Sequence, residues 1–419
     1  IYTLSLHDAL PISKICGRIL RLAGLSLVLI LLISACTGPK HLPQITPAAL
    51  PEFTASPNPI QRQTMAAANA TPTPVPSPTP WPVATATPSS ILIKDLAAEG
   101  LNPLTGLPVD DQTLLQQRPV LVKIANWPQG LRPAAGLNQA DLVFEYYIGA
   151  QANHFLAVYY GQDSEQVGPL APARILDARL SEHYQGFLAY ASADNTVEMV
   201  LSEVLPGRSF LRGFTPCPAM CNLTDAGGEN TYVNTGALRE LYQAKNPDGD
   251  NVNLSGLDFA SRLSQWDAEA QQLSYLYADF SVIQWDYDPK SGQYQLSQDY
   301  AAPDGSISIA PSYDRVDSTP IAFDNIIVLF ASYIEYGTSR YDIDFRDGDP
   351  HQPALVFRDG KLLSGTWMAP DPFTPIQLTD ASGQPLALKP GSSWIVFTGT
   401  KSSTSEVQPG IWEITFSLN

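Results

Sequence analysis

The chain has 419 residues, 44% of them hydrophobic and only 16% charged, with a formal net charge of −17. That length allows two folded domains behind a non-globular front, and the composition suits a packed core rather than a disordered acidic polymer. The acidic balance, with no basic run and no interleaving of basic and aromatic residues, excludes a nucleic-acid partner, because such binding draws on neutralised phosphates.

Residues 1–13, IYTLSLHDALPIS, read as a leader foreign to the native protein and carry no weight in the fold. Residues 14–35 have the organisation of a signal peptide: Lys14, Arg18 and Arg21 precede an uncharged apolar stretch over 22–33, followed by Ser34 and Ala35. The stretch is shorter than the ~20 residues of a membrane span. Small residues ahead of Cys36 form a lipoprotein processing pattern, so Cys36 is expected to become a lipidated N-terminus on the extracytoplasmic face of the cell membrane. Residues 36–90 then make a tether rich in Pro and Thr, culminating in TPTPVPSPTPWP at 71–82. Alternating proline removes backbone donors and favours polyproline II, at ~3.1 Å per residue a reach on the order of 100 Å.

Residues 91–273 read as a mixed α/β domain. Apolar runs bounded by Gly, Pro or Asn predict strands at 120–125, 141–148, 155–160 and 186–192. Spacing of four between Leu176, Leu180 and Tyr184 predicts an amphipathic helix over 172–184, with Arg174, Asp177, Arg179 and Glu182 falling elsewhere. Further helices are predicted at 196–204 and at 237–244, the latter capped by Asn234 or Thr235. Over 274–419 the helical signal fades and turn pairs recur, predicting a mainly antiparallel β domain and an α/β or α+β class overall. The sharpest local prediction is a hairpin over 355–367, where Asp359-Gly360 separates two apolar runs. Phe357, Trp367 and Trp394 are read as packing residues of such strands.

Chemistry is sparse in this sequence. Cys217 and Cys221, in TPCPAMCN, are expected to form a short-range disulfide in an oxidising compartment. Four zinc ligands are not assembled by any motif, and C-x3-C is not the spacing of a thioredoxin-like redox pair. Neither a G-x-S-x-G elbow, an H-E-x-x-H helix, a P-loop nor a dinucleotide fingerprint is present, so no cofactor and no metal are implied. His154 and His183 have no acidic or cysteine partner at ligand spacing and read as packing or surface residues. Asp342, Asp344, Asp347 and Asp349 in YDIDFRDGDP miss the EF-hand spacing and read as a solvated turn, with a nonstandard calcium site as the alternative.

Several passages together resemble the YerB-like bacterial lipoproteins, whose conserved region is a domain of unknown function. They are NPLTGLP at 102–108, RPVLVKIANWP at 118–128, LRPAAGLNQADLVFEYYI at 131–148, GPLAPAR at 168–174, WDYD at 285–288 and the run over 355–397. The chain departs from the family where it has Asn153-His154 in place of Thr-Arg, Ala171 and Pro172 in place of Arg and Ser, and no Gly-Gly-Ser-like turn near 191–194. Of the family's polar positions Arg132, Asp141, Glu145 and Arg174 remain, and the resemblance makes them the candidate binding residues. Location and the absence of catalytic motifs point to a non-catalytic envelope module that binds cell-wall glycan or an envelope protein. Two rivals stand: a glycan hydrolase using Asp141 and Glu145, which an even separation puts on one face of a strand, and an extracellular solute-binding protein. The same carboxylates could instead serve ion pairs with Arg132 or Arg174.

Overall fold

Apolar runs in this chain are long enough to be buried on two faces, and they assemble into the middle layer of the fold. The computed structural model describes Leu96 and residues 99–223, 230–246, 252–302, 304–346 and 348–418. The signal segment, Cys36 and the Pro/Thr-rich tether lie outside the described residues. The N-terminal half supplies strands β1 (Val120–Ile124), β2 (Leu142–Gly149), β3 (Ala152–Tyr159), β4 (Phe187–Tyr190), β5 (Ser209–Leu211), β6 (Met220–Asn222) and β7 (Thr231–Val233). Its helices are α1 (Ile175–His183), α2 (Asn195–Val204) and α3 (Thr235–Gln243). The remainder supplies β8 (Ala268–Glu269), β9 (Gln272–Ala278), β10 (Ser281–Asp288), β11 (Gln293–Ala301), β12 (Ile307–Pro311), β13 (Ala322–Phe323) and β14 (Asn325–Gly337). It ends with β15 (Arg340–Asp344), β16 (Gln352–Arg358), β17 (Lys361–Met368), β18 (Gln377–Thr379), β19 (Ser393–Gly399), β20 (Ser403–Gln408) and β21 (Ile411–Thr415).

A 12-stranded sheet runs β18-β17-β16-β14-β19-β2-β3-β1-β4-β5, with β15 on β14 and β8 on β17. β19 lies parallel to both of its neighbours, β14 and β2. The composition changes near residue 273, but the sheet crosses that point without a break. Every residue of β1, β3 and β19 is buried, as expected of strands covered on both faces. A second, seven-stranded sheet runs β12-β11-β10-β9-β21-β20 with β13 on β11. Its inner strands β9 and β10 alternate: β9 reads buried at Leu273, Tyr275 and Tyr277 and half-buried between them, the signature of a sheet with one covered face.

The large sheet therefore separates two cores. On one side Leu142, Phe144, Leu156, Leu188, Leu329 and Phe397 pack with Leu176 and Leu180 of α1 and Val197 and Leu201 of α2. On the other, Val143, Phe155, Val328, Trp394 and Val396 meet Tyr275, Trp285, Leu296 and Phe323 of the second sheet, with Leu238 and Tyr242 of α3 beside Phe187. Trp394 is the hub of this second core, its ring centroid 4.7 Å from Phe155, 5.0 Å from Trp285 and 5.2 Å from Phe323.

The fold is mainly β. The C-terminal region is β-rich as the sequence implies, but three helices of nine or ten residues are fewer than an alternating α/β pattern calls for. Helix boundaries follow capping chemistry: Asp194 accepts from the backbone N–H of Thr196 and Val197, and Asn234 from that of Ala237. Asp359 and Gly360 both have positive φ, +55° and +69°, the two left-handed residues a primed hairpin turn requires between β16 and β17. Cys217 and Cys221 are joined in a disulfide. Because Trp394 fills the space between the sheets, Trp394→Leu should lower the unfolding free energy by about 3 kcal/mol, read as a shifted midpoint in urea titrations by circular dichroism.

Candidate functional site

The four candidate residues sit in three separate places. Glu145 lies in β2, fully buried, on the face turned toward the second sheet. A carboxylate there needs donors, and it has them: Asn153 Nδ2 donates to Oε1 at 2.5 Å and Trp394 Nε1 to Oε2 at 2.7 Å. Asn153 in turn accepts from Asn126 Nδ2 at 2.8 Å. Asn126 accepts through its backbone carbonyl from Arg132 Nε at 2.9 Å, and through its side-chain oxygen from Arg132 Nε at 3.0 Å and Gln298 Nε2 at 3.1 Å. A continuous polar chain thus links Glu145 to Arg132. Arg132 ends it in an ion pair with Asp299 at 3.3 Å, and its Nη1 also donates to the Asp299 carbonyl at 2.7 Å.

Asp141 falls just before β2 and takes no part in that chain. Its oxygens accept from Asn102 Nδ2 at 2.7 Å and from the backbone N–H groups of Tyr160 at 2.5 Å and Gly161 at 3.0 Å, pinning the NPLTGLP turn to the end of β3. The even spacing of Asp141 and Glu145 therefore does not make them a working pair. Four residues of extended chain span ~13 Å, beyond the ~5–10 Å between the carboxyls of glycosidases.

Arg174 lies on the opposite face of the large sheet, as the residue before α1. Its backbone N–H donates to Asp177 Oδ2 at 2.7 Å. Asp177, which helical periodicity assigns away from the apolar face, is fully buried instead, accepting from the Tyr146 hydroxyl and paired with Lys123 Nζ at 3.3 Å. Lys123 also meets the Tyr146 hydroxyl at 2.5 Å. Burial pulls the Lys123 ammonium down to about 8, with Asp177 opposing it. His154 is buried on the same side, its Nε2 3.1 Å from the Trp127 carbonyl, and burial and then Lys123 hold it well below the usual histidine range. His183 Nδ1 lies 3.1 Å from the Thr374 carbonyl. Asp342 and Asp344 are carried by β15, Asp349 pairs with Arg346, and Asp347 lies outside the described residues.

Arg132 opens onto a cavity of about 270 Å³ at the seam between the two sheets. Phe155, Leu296, Pro311 and Ile321 line it with apolar surface, while Asn126, Gln129, Gln298, Asp299 and Ser312 bring polar groups. Tyr300 and Tyr313 stand at it half exposed to solvent, at 56% and 46%. Arg132 Nη2 makes no hydrogen bond within the protein among the described residues, so two donors remain available. Sequence reasoning found Arg132 but missed Asn126, Gln298 and Asp299. The available signal was the polar run Ser297-Gln298-Asp299 inside an otherwise alternating strand, all three side chains of which are buried.

Fold and cavity define a mainly β protein with two stacked sheets and a cavity at their seam. The description "Protein of unknown function (DUF3048)" matches twice, its N-terminal domain over residues 104–247 and its C-terminal domain over 273–395, and the chain belongs to that family. It is similar to YerB of Bacillus subtilis (strain 168), a provisionally named lipoprotein, at 26% identity over 317 residues, 72% of this chain and 87% of that protein. The crystal structure of the Bacillus subtilis YerB protein shares the fold, with a TM-score of 0.55 at 23% identity over 71% of this chain and 96% of that one.

Burial pushes the Glu145 carboxyl up to about 7 against the pull of Trp394, Asn153, Tyr277 and Arg132, and pushes Asp141 up to about 6 against Gly161, Tyr160 and Asn102. Each carboxyl therefore binds its proton more tightly folded than unfolded. Between about pH 4.5 and 7 the native chain holds the extra proton at Glu145, so stability falls as pH rises through that window and levels off above it. Glu145→Gln should remove the Glu145 share of the decline, about 3 kcal/mol, and leave that of Asp141. Urea unfolding at several pH values across the window reads this, and an unchanged slope would refute it.

Proposed function

We propose that the protein is a non-catalytic binding module of the cell envelope, lipid-anchored through Cys36 on the extracytoplasmic face of the membrane, and that it holds cell-wall glycan in the Arg132 cavity. The observation that carries this reading is the lining of the cavity: half-exposed tyrosines beside amides and a guanidinium with unused donors. Aromatic faces take the apolar face of a sugar ring, and planar amides and arginine hydrogen-bond its hydroxyls. Small pockets of this kind gain specificity from a few placed polar groups on an apolar floor.

The hydrolase reading is weakened by the same geometry. Glu145 is sealed, with both oxygens held by protein donors, and Asp141 is bonded at the far end of β2. An acid–base pair must instead reach the scissile bond. A solute-binding protein, the remaining alternative, is expected to close two similar lobes on its ligand, whereas this cavity lies between unlike sheets.

Incubation of the protein with isolated cell-wall sacculi, followed by assay of the pellet and of released fragments, tests the reading. Wild type should cosediment, Tyr313→Ala and Tyr300→Ala should each weaken binding about tenfold, near 1.4 kcal/mol, and no fragments should appear. Fragment release that Glu145→Gln abolishes would establish the hydrolase, and absence of cosedimentation would overturn glycan binding.

A further inference from the structure

A hydrogen bond between amides has a direction, and the polar chain from Glu145 to Arg132 runs in one direction throughout. An ionised carboxylate only accepts, so Asn153 turns its Nδ2 to Glu145 Oε1 and presents Oδ1 to Asn126. Asn126 answers with Nδ2, which leaves its own Oδ1 to accept from two residues of the cavity wall, Arg132 Nε at 3.0 Å and Gln298 Nε2 at 3.1 Å. Trp394 locks the far end. Its indole donates to Glu145 Oε2 at 2.7 Å and has no acceptor to offer, so a proton added to Glu145 goes to the oxygen facing Asn153, where it meets a donor. Relief comes when both amides turn over, and Asn126 then shows its amino group to Arg132 and Gln298. Arg132 keeps the Asn126 carbonyl and Asp299 but loses its side-chain acceptor, and Gln298 must turn its amide as well, reversing its bond with the Ser312 hydroxyl at the cavity. Glu145, Asn153, Asn126 and Gln298 are all buried, so a donor set against a donor is costly.

We infer that Glu145 is a positioning residue for the Arg132 cavity, and that a proton taken up by Glu145, passed on as the direction of the Asn153 and Asn126 amides, weakens ligand binding there. The inference rests on the reading of that cavity as the glycan site. Tyr275 and Tyr277 of β9 and Tyr333 of β14 face the carboxyl, and burial holds each of these hydroxyls well above the usual tyrosine range, so they stay neutral while Glu145 titrates. Uncharged Asn153 and Trp394 approach it from β3 and β19, and Arg132, the charge that acts on it, is paired with Asp299. Lys123, Asp177 and His154 lie on the other face of the sheet. Burial lifts the Glu145 carboxyl to about 7, which puts the change of direction near neutral pH. Only the direction of the chain is at stake, so moving the carboxylate along it should restore order. In Glu145→Gln, Trp394 claims the one amide acceptor and the chain is reversed at every pH. Adding Asn126→Asp supplies acceptors to Asn153 on one side and to Arg132 and Gln298 on the other, and every donor is matched again with the chain running the opposite way.

Cosedimentation with sacculi at several values between about pH 5.5 and 8 tests the relay. Wild type should bind about tenfold more tightly at the alkaline end than at the acid end. Glu145→Gln should bind weakly throughout and show no such rise, which also controls for titration of the wall itself. Glu145→Gln combined with Asn126→Asp should regain the tight binding at both ends. A second measurement needs no glycan: in isotope-labelled protein the Arg132 Nε–H and Trp394 Nε1–H resonances should shift with one common midpoint. Asn153→Leu, which cuts the chain, should abolish that shift at Arg132 and keep it at Trp394. If wild type binds sacculi at no pH while the resonances behave in this way, the glycan reading falls and the relay stands. An Arg132 resonance that ignores the Trp394 midpoint, or follows it equally well in Asn153→Leu, would overturn the relay. So would a Glu145→Gln variant as pH-dependent as wild type, or a double variant that binds no better than the single one.

Discussion

A carboxylate at the dry centre of a protein must have its oxygens filled, and in this fold that demand falls on Glu145. One oxygen is filled by Asn153 from the adjacent strand and the other by Trp394, 249 residues away in sequence. The indole that supplies the hydrogen bond also fills the space between the two sheets, so a single side chain meets both the polar and the apolar requirements of the middle of the molecule. From Asn153 the same chain of amides passes through Asn126 to Arg132 and Asp299, fixing the wall of the seam cavity. Position of the guanidinium is thereby tied to the packing of the core, because polar networks of this kind tolerate little slack.

Adjacent residues of β2 send their side chains to opposite faces, and each face carries its own buried polar group. Glu145 serves the seam between the sheets, whereas Tyr146 serves Lys123 and Asp177 under the helices. On β3, Asn153 and His154, opposite Tyr147 and Tyr146, divide in the same way: one bonds to Glu145 and the other is buried on the Lys123 side. That dipeptide thus touches both networks at once. On the Lys123 side, burial and then Lys123 hold the histidine well below its usual range.

Local features were the legible ones. Runs of apolar residues located β1, β2 and β3, fourfold spacing located α1, helical periodicity located α2, periodicity behind a cap at Asn234 or Thr235 located α3, and Asp359-Gly360 located its hairpin. Each of these is decided within a few residues of chain. Parallel pairing of β19 between β14 and β2 carries no such signal, since no turn joins the partners and the register is set by burial on two faces. The candidate site was partly hidden for the same reason. Arg132 and Glu145 could be named singly, but Asn126, Gln298 and Asp299 join them only through contacts across the sheets. Asp177 was misplaced because periodicity counts an acidic residue as surface, whereas a buried lysine on another strand makes the interior its lower-energy position.

Insertion of β19 at the middle of the large sheet has a consequence for how the molecule is made. Synthesis runs from the N-terminus, and β2 has one of its two neighbours as soon as β3 follows it. The other arrives only with residues 393–399, after all the other strands of the large sheet have been made. Until then the growing chain holds an unpaired strand edge rich in Val, Phe and Tyr, the kind of surface that recruits foreign strands. A nascent or truncated polypeptide ending before residue 393 is thus open along its central seam rather than frayed at its rim, and loss of residues 393–399 removes the keystone of the sheet.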